Sequence, residues 1–425
     1  MKRLKVYRII LIVVLVINLL FLGYSYYTGV ESGIPSSLKV YVGKESRFDF
    51  GLPVEADITC DTEVLAINNA SNVSDKSKNI HFSLMEPFTV KSDKKGRYEV
   101  SLRLFGLLNL KKVSIDVIEV ANVIPCGNTV GIRVDLDGLL VLGTGAVQGM
   151  DGLEYEPAYQ VIRTGDYIVK VNNKKITSIK KMQRILQNSD KDEVVLTIRR
   201  NNVLSKIKLP VIESENGEKK LGIWVRADTQ GIGTLTFAME DGSYGALGHG
   251  ITDSDTGVLV DVGKGYLYET EIVQVVKGKK GEPGEIMGMI LETNSKMLGT
   301  IESNTHLGIS GILKSNHGLG QATAIPIGFR QDIKKGNATV ICQVDDAVKS
   351  YKSRIVEIDR GSEDNKGFII EITDENLLSK TGGIVRGMSG SPVIQNGKLV
   401  GAVTHVMVND STRGYGIFIE NMLEH

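Results

Sequence analysis

Hydrophobic and polar positions fall into distinct regimes along the chain. Residues 9–22 are apolar on every face, broken only by Asn18, and Lys2, Arg3, Lys5 and Arg8 precede them. With Val6 and Tyr24, Tyr26 and Tyr27 the stretch approaches the ~20 residues that cross a bilayer as a helix. The basic residues hold its start in the cytoplasm, and the tyrosines suit an interfacial belt. A cleaved signal segment and an uncleaved anchor both fit residues 1–30. No clean small-x-small cleavage site follows the run, which favours the anchor. Everything beyond about residue 30 is then expected outside the cytoplasm.

From Leu38 the period becomes two. Leu38, Val40 and Val42 alternate with polar neighbours, as do Val100, Leu102 and Leu104, then Val113, Ile115 and Val117. Such alternation predicts strands with one buried face, so residues 31–122 read as a small β-domain without visible chemistry. Residues 123–212 differ. Val130-Gly131-Ile132 opens a strand, Gly165-Asp166 turns into Tyr167-Ile168-Val169-Lys170-Val171, and Asn172-Asn173 turns again. Thr177 or Ser178 could cap a helix whose apolar face is Ile179, Met182, Ile185 and Leu186. Two strands follow, at Val194 to Ile198 and Ile207 to Leu209. This order resembles a PDZ domain. The resemblance implies a peptide groove between a strand and the helix, with Val130, Gly131 and Ile132 offering N–H groups to a terminal carboxylate.

Residues 213–220 (ESENGEKK) are polar and read as a linker. Beyond them short apolar strands alternate with glycine turns to the end, without a long helical period before the last residues. Residues 221–425 therefore read as an all-β sandwich or double barrel. The expected fold class is mainly β: an N-terminal transmembrane helix, a small β-domain, a PDZ-like α+β domain and a chymotrypsin-like double β-barrel.

Composition narrows the function. Fifty Lys plus Arg against 50 Asp plus Glu give zero net charge over 425 residues, which offers no electrostatic grip on nucleic acid. Cys60, Cys126 and Cys342 form no CxxC pair, so a zinc site or disulfide framework is not expected. No metal or cofactor motif is present.

The sharpest motif is Gly387-Met388-Ser389-Gly390-Ser391-Pro392. It resembles the Gly-x-Ser-Gly-Gly-Pro nucleophile loop of chymotrypsin-like serine peptidases. Glycines let the backbone turn so that Ser389 stands exposed, and the same turn aims the Gly387 and Ser389 N–H groups at one point, an oxyanion hole. Ser391 stands where the wider motif has glycine and is a rival nucleophile. Met388 replaces the aspartate that pairs with a freed N-terminus in zymogens, so activation by that route is not expected. Serine needs a base. Among six histidines, His249 lies in a small-residue loop well before the serine, matching the chain order His, Asp, Ser. His405 follows the serine and reads as a pocket wall or a core histidine. Asp374, at the end of an apolar strand, is the expected third member, with Asp253 and Asp255 as rivals that read locally as turn residues.

The string from Ile223 to His249, the Gly387 to Pro392 loop and Gly401-Ala402-Val403-Thr404-His405-Val406 together resemble the stage IV sporulation protein B peptidases. The resemblance implies an anchored serine endopeptidase of endospore formation, self-cleaving on its own chain in trans and acting in the forespore intermembrane space. Its protein substrate would be a regulator of an intramembrane metalloprotease complex, whose release permits pro-sigma-K processing. A non-catalytic PDZ scaffold and a general extracytoplasmic quality-control protease are the alternatives.

Overall fold

The computed structural model describes residues 2–59, 66–68, 79–118, 122–314 and 323–423; Cys60, His317 and His425 lie outside the described residues. Strand accounts for 53% of the chain, so the mainly-β expectation holds. Helix α1, Lys2–Ser32, carries the apolar run and is consistent with membrane anchoring or a signal sequence. Within that run, Asn18 Nδ2 donates to the Val14 carbonyl at 2.8 Å, so part of its amide is satisfied inside the helix. The last turn of α1 leaves the apolar run and enters a globular core. Val30 and Ile34 are buried there, with Tyr27 packed beside them.

That core belongs to the small β-domain. Five strands run in the order Ser37–Tyr41, Leu108–Ile118, Gly96–Leu104, Val54–Thr59, Asn79–Ser83. A three-stranded sheet, Ser46–Phe48, Phe88–Lys91 and Ala66–Asn68, accompanies them. The period-two positions face inward: Val40, Val100, Leu102 and Ile115 are all buried.

The centre of the molecule is the 16-residue strand Thr129–Thr144. Its first half pairs on both sides, with Ile223–Ala238 and with Val262–Val276. The ladder continues through Met297–Thr305, Gly308–Leu313 and Ser243–Ala246 and returns to Ile223–Ala238. Six strands thus close a barrel around Val130, Leu235, Ala246, Leu267 and Ile309. After Gly138, at φ +122°, the second half leaves the barrel and pairs with Tyr167–Val171. A second barrel closes in the order Gly336–Gln343, Val348–Ile358, Phe368–Ile372, Asp410–Phe418, Lys398–Met407, Pro392–Gln395.

Three sequence expectations change here. The boundary at residue 123 does not isolate a PDZ unit, because strand Thr129–Thr144 serves both the PDZ-like sheet and the first barrel. Residues 213–220 are not a free linker; Ile212–Glu213 and Lys219–Lys220 pair as a hairpin. A third helix also exists. Helix α2, Ile179–Gln187, is the one expected, capped by Ser178, but helix α3, Glu375–Thr381, was not.

Candidate active site

Ser389 and His249 come from opposite barrels and open onto one cleft of about 630 Å³, with Gly387, His306, Thr404 and His405 also on its walls. The nucleophile loop is wedged against the first barrel. Thr234 N–H donates to the Ser389 carbonyl at 2.9 Å, and Thr234 Oγ1 to the Gly387 carbonyl at 2.8 Å. Gly387 and Gly390 take φ +98° and +96°, the left-handed region that glycine reaches without a steric cost. Ser391, the rival nucleophile, is fully buried and does not line the cleft. Among the described residues, the Gly387 and Ser389 N–H groups donate to no protein acceptor. The Ser389 hydroxyl donates to the Thr404 carbonyl at 2.7 Å.

The histidine loop needs an unusual backbone. Leu247 and Gly248 sit at φ +70° and +69° in succession; for leucine this is a true outlier, held by its surroundings. A Cβ on Gly248 would lie 2.9 Å from both Ile417 Cγ2 and Thr404 Cγ2, so the loop abuts the second barrel. His249 Nδ1 lies 2.9 Å from the Gly250 carbonyl. A carbonyl only accepts, so Nδ1 carries the proton and Nε2 keeps its lone pair. Burial pushes the His249 pKa down, and the Gly250 bond opposes this in part. The imidazole is therefore neutral near pH 7, the state a general base requires.

Sequence reasoning missed Asn304. Its side chain accepts from Ile251 N–H at 2.8 Å and donates to the Ile251 and Val260 carbonyls at 3.0 and 2.9 Å. It pins the chain just past His249. His405 lies closer than expected, its ring 4.9 Å from that of His249. Although it stands at the exposed rim, its pKa is pushed down to about 4, by burial of the ring against its neighbours first and then by His249 and Lys366.

Asp374 is not part of this cleft. Its carboxylate is the N-cap of α3, accepting from Asn376 and Leu377 N–H at 3.1 and 3.3 Å and from Lys352 N–H at 3.2 Å. The rival Asp253 is held in its own turn by Asp255 and Thr256 N–H and by an ion pair with Arg226. Among the described residues no carboxylate bonds to His249; the Gly250 carbonyl holds its Nδ1.

The peptide-binding expectation at Val130, Gly131 and Ile132 also fails. Their strand is paired on both edges, Gly131 opposite Ile232 and Tyr268, so no edge is open to a peptide. The glycine answers a packing need: a Cβ there would meet Ile290 Cγ2 at 2.5 Å. A groove of about 730 Å³ lies instead between α2 and residues 221–225, lined by Gly145, Ile179, Met182, Leu186 and Trp224. Among the described residues, positions 223–226 pair only with Thr129–Thr144, leaving their other edge open.

Residues 217–423 match the SpoIVB peptidase S55 family, and residues 156–200 match a PDZ domain. No curated protein sequence matches the chain. Solved structures overlap parts of it. The PDZ domain of the SdrC-like protein Lmo2051 from Listeria monocytogenes is 19% identical, covering 21% of this chain and 87% of that one, at a TM-score of 0.17. The Rv3671c protease in its inactive form is 15% identical, covering 45% and 81%, at 0.27; the active form from M. tuberculosis is 14% identical, covering 46% and 72%, at 0.25. At such scores these overlaps carry no weight for the fold, which rests on the two barrels. The chain carries a SpoIVB-type S55 serine peptidase region at residues 217–423 and a PDZ domain at residues 156–200.

Proposed function

We propose that Ser389 is the nucleophile and His249 its general base in an anchored endopeptidase of endospore formation. The observation that carries this is the meeting of the two side chains, from separate barrels, on one cleft. In this reading the Ser389 hydroxyl leaves the Thr404 carbonyl and turns to His249 Nε2 across the shared cleft. Such rearrangement is common, since catalytic hydrogen bonds often tighten only when substrate binds. His249 would take the hydroxyl proton as Oγ attacks the scissile carbonyl, then return it to the leaving amine. The unpartnered Gly387 and Ser389 N–H groups suit the oxyanion, a contribution of about 3–4 kcal/mol per donor in comparable enzymes. The Gly250 carbonyl fixes the tautomer, the task a carboxylate performs elsewhere.

Helix α1 acts as an uncleaved anchor in this reading, because removing it would strip Val30 from the domain core. The family match supports the wider role: action across the inner forespore membrane, self-cleavage in trans, and cutting of a regulator of an intramembrane metalloprotease to release pro-sigma-K processing. The PDZ groove beside α2 would receive an extended segment of that substrate, or of a second copy, along the open edge of residues 223–226. The test is reconstitution of wild-type and Ser389→Ala chains with the candidate regulator, with new termini mapped. Loss of both self-cleavage and target cleavage in Ser389→Ala, with thermal unfolding unchanged, is expected. Equal cleavage by the two proteins would put the nucleophile elsewhere, and binding of the regulator without cleavage by either would leave a docking scaffold as the function.

A further inference from the structure

We propose that the hairpin tip at residues 104–108 dips into the outer membrane interface beside α1, giving the small β-domain a second, peripheral contact with lipid. The proposal rests on α1 spanning the bilayer.

The tip reads Leu104-Phe105-Gly106-Leu107-Leu108, where a turn would ordinarily be polar. Phe105, Leu107 and Leu108 are 58%, 85% and 59% exposed, a contiguous apolar patch with no charge within the turn. The backbone makes the choice of residue more pointed. Phe105 and Gly106 take φ +52° and +72°, with Leu107 N–H donating to the Leu104 carbonyl at 3.1 Å. Two successive left-handed residues make a type I′ turn, which favours Asn-Gly. A phenylalanine at φ +52° strains the backbone where asparagine would not. An aromatic kept exposed at such a position is explained by what it touches.

What it touches is the end of the anchor. The Phe105 ring stacks on Tyr26 of α1 at 6.2 Å, with the planes 9° apart. From Ile9 to Tyr26 the helix rises about 26 Å, against a hydrocarbon thickness of ~30 Å. Tyr26 therefore stands at the far boundary of the bilayer, where amphipathic rings settle, and Phe105 stands level with it. The depth is fixed, because the base of α1 is locked to the hairpin. Tyr27 Oη donates to the Leu110 carbonyl at 3.1 Å, Lys111 Nζ to the Glu31 carbonyl at 2.7 Å, and Val30 lies in the shared core. A rigid junction holds the patch at the level of the headgroups, continuous with the membrane-facing surface of the helix.

The test uses the full chain in phosphatidylethanolamine/phosphatidylglycerol vesicles. Leu107→Trp, in a Trp224→Phe background, places one fluorophore at the most exposed point of the tip. Its emission should be quenched by lipids brominated near the headgroup more than by lipids brominated deep in the acyl chain, and shielded from aqueous iodide. Emission open to iodide and blind to brominated lipid, in a chain that resists alkaline carbonate extraction, overturns the tip contact while the anchor stands. A chain that carbonate washes off overturns both.

Discussion

The tightest constraint on the site is Gly390. At φ +96° a Cβ on this residue would lie 2.1 Å from the Thr234 carbonyl oxygen, 2.6 Å from Leu247 N and 2.9 Å from Leu247 Cα. All three are backbone atoms of the first barrel, from strand Ile223–Ala238 and the His249 loop, so no side chain can swing away. Gly390→Ala therefore adds two costs. Holding alanine in a sparsely populated backbone region costs about 1–3 kcal/mol. Overpacking against an unyielding wall costs about 1–3 kcal/mol more. Gly397→Ala isolates the first cost, since Gly397 is also left-handed, at φ +74°, but nothing lies within 4 Å of its Cβ position. The peptidase region spans residues 217–423, a size at which each kcal/mol moves Tm by roughly 2–4 °C. Gly390→Ala should lower Tm by about 4 °C or more, Gly397→Ala by less than that, both read by calorimetry. Peptide turnover by Gly390→Ala, measured well below its Tm, should fall by about 10²-fold for a displacement of about 1 Å, while Gly397→Ala keeps its activity. Equal stability and equal turnover in the two variants would show that the loop does not press on the first barrel as described.

Four further outcomes concern the cleft, the cap of α3 and the groove beside α2. The buried, depressed pKa of His249 keeps it neutral below the ordinary imidazole value of about 6.5, so kcat/KM should hold through that value and fall only in more acid solution; a fall centred at or above it refutes the depression. His405 titrates near 4 when folded and near 6.5 when unfolded. The unfolded chain then binds more protons in that window, so stability drops as pH falls from about 6.5 to about 4, and His405→Gln should flatten this slope in denaturant titrations. Asp374→Ala should cost about 1 kcal/mol as a lost helix cap, whereas Asp374→Asn keeps the cap through Oδ1 and loses only the bond from Lys352 N–H; a collapse of turnover in Asp374→Asn beyond that in Asp374→Ala would put the carboxylate in the chemistry. Trp224, the single tryptophan, lines the groove and is 66% exposed. A bound peptide should shift its emission and lose affinity in Ile179→Lys, and binding that leaves Trp224 silent places the peptide site elsewhere.

The sequence made the strands, α1, α2 and the nucleophile loop legible, because each rests on local information. Period-two alternation, an all-round apolar run, Ser178 before an amphipathic face, and glycines around Ser389 are all readable within a dozen residues. That His249 would share a cleft with Ser389 was also readable, from its small-residue loop and its place in chain order. Asp374 was misjudged because two readings share one signal: a carboxylate after an apolar strand suits a triad, but also caps a helix. The deciding mark was present downstream, in Gly382-Gly383 after a seven-residue interval, where Gly382 ends α3 at φ +72°. Val130-Gly131-Ile132 failed for a different reason. A glycine between apolar residues is equally a binding turn or a place where barrel strands crowd, and the crowding partner Ile290 is remote in sequence. Asn304 carried no local mark at all, since its role exists only once residues 251 and 260 reach it.

The strand Ile223–Ala238 walls the groove beside α2 at residues 223–225 and the cleft of Ser389 and His249 at residues 229–232. With about 3.3 Å per residue, Val225 and Thr229 stand roughly 13 Å apart along one continuous strand, although its pairing with Thr129–Thr144 shifts register between residues 226 and 228. A one-residue insertion between them would turn every later side chain to the opposite face, emptying one wall while leaving the other intact. On the proposed reading of the two sites, the gap between holding and cutting is therefore quantised. It cannot be adjusted by lengthening a loop, and a substrate must bring its own matching interval.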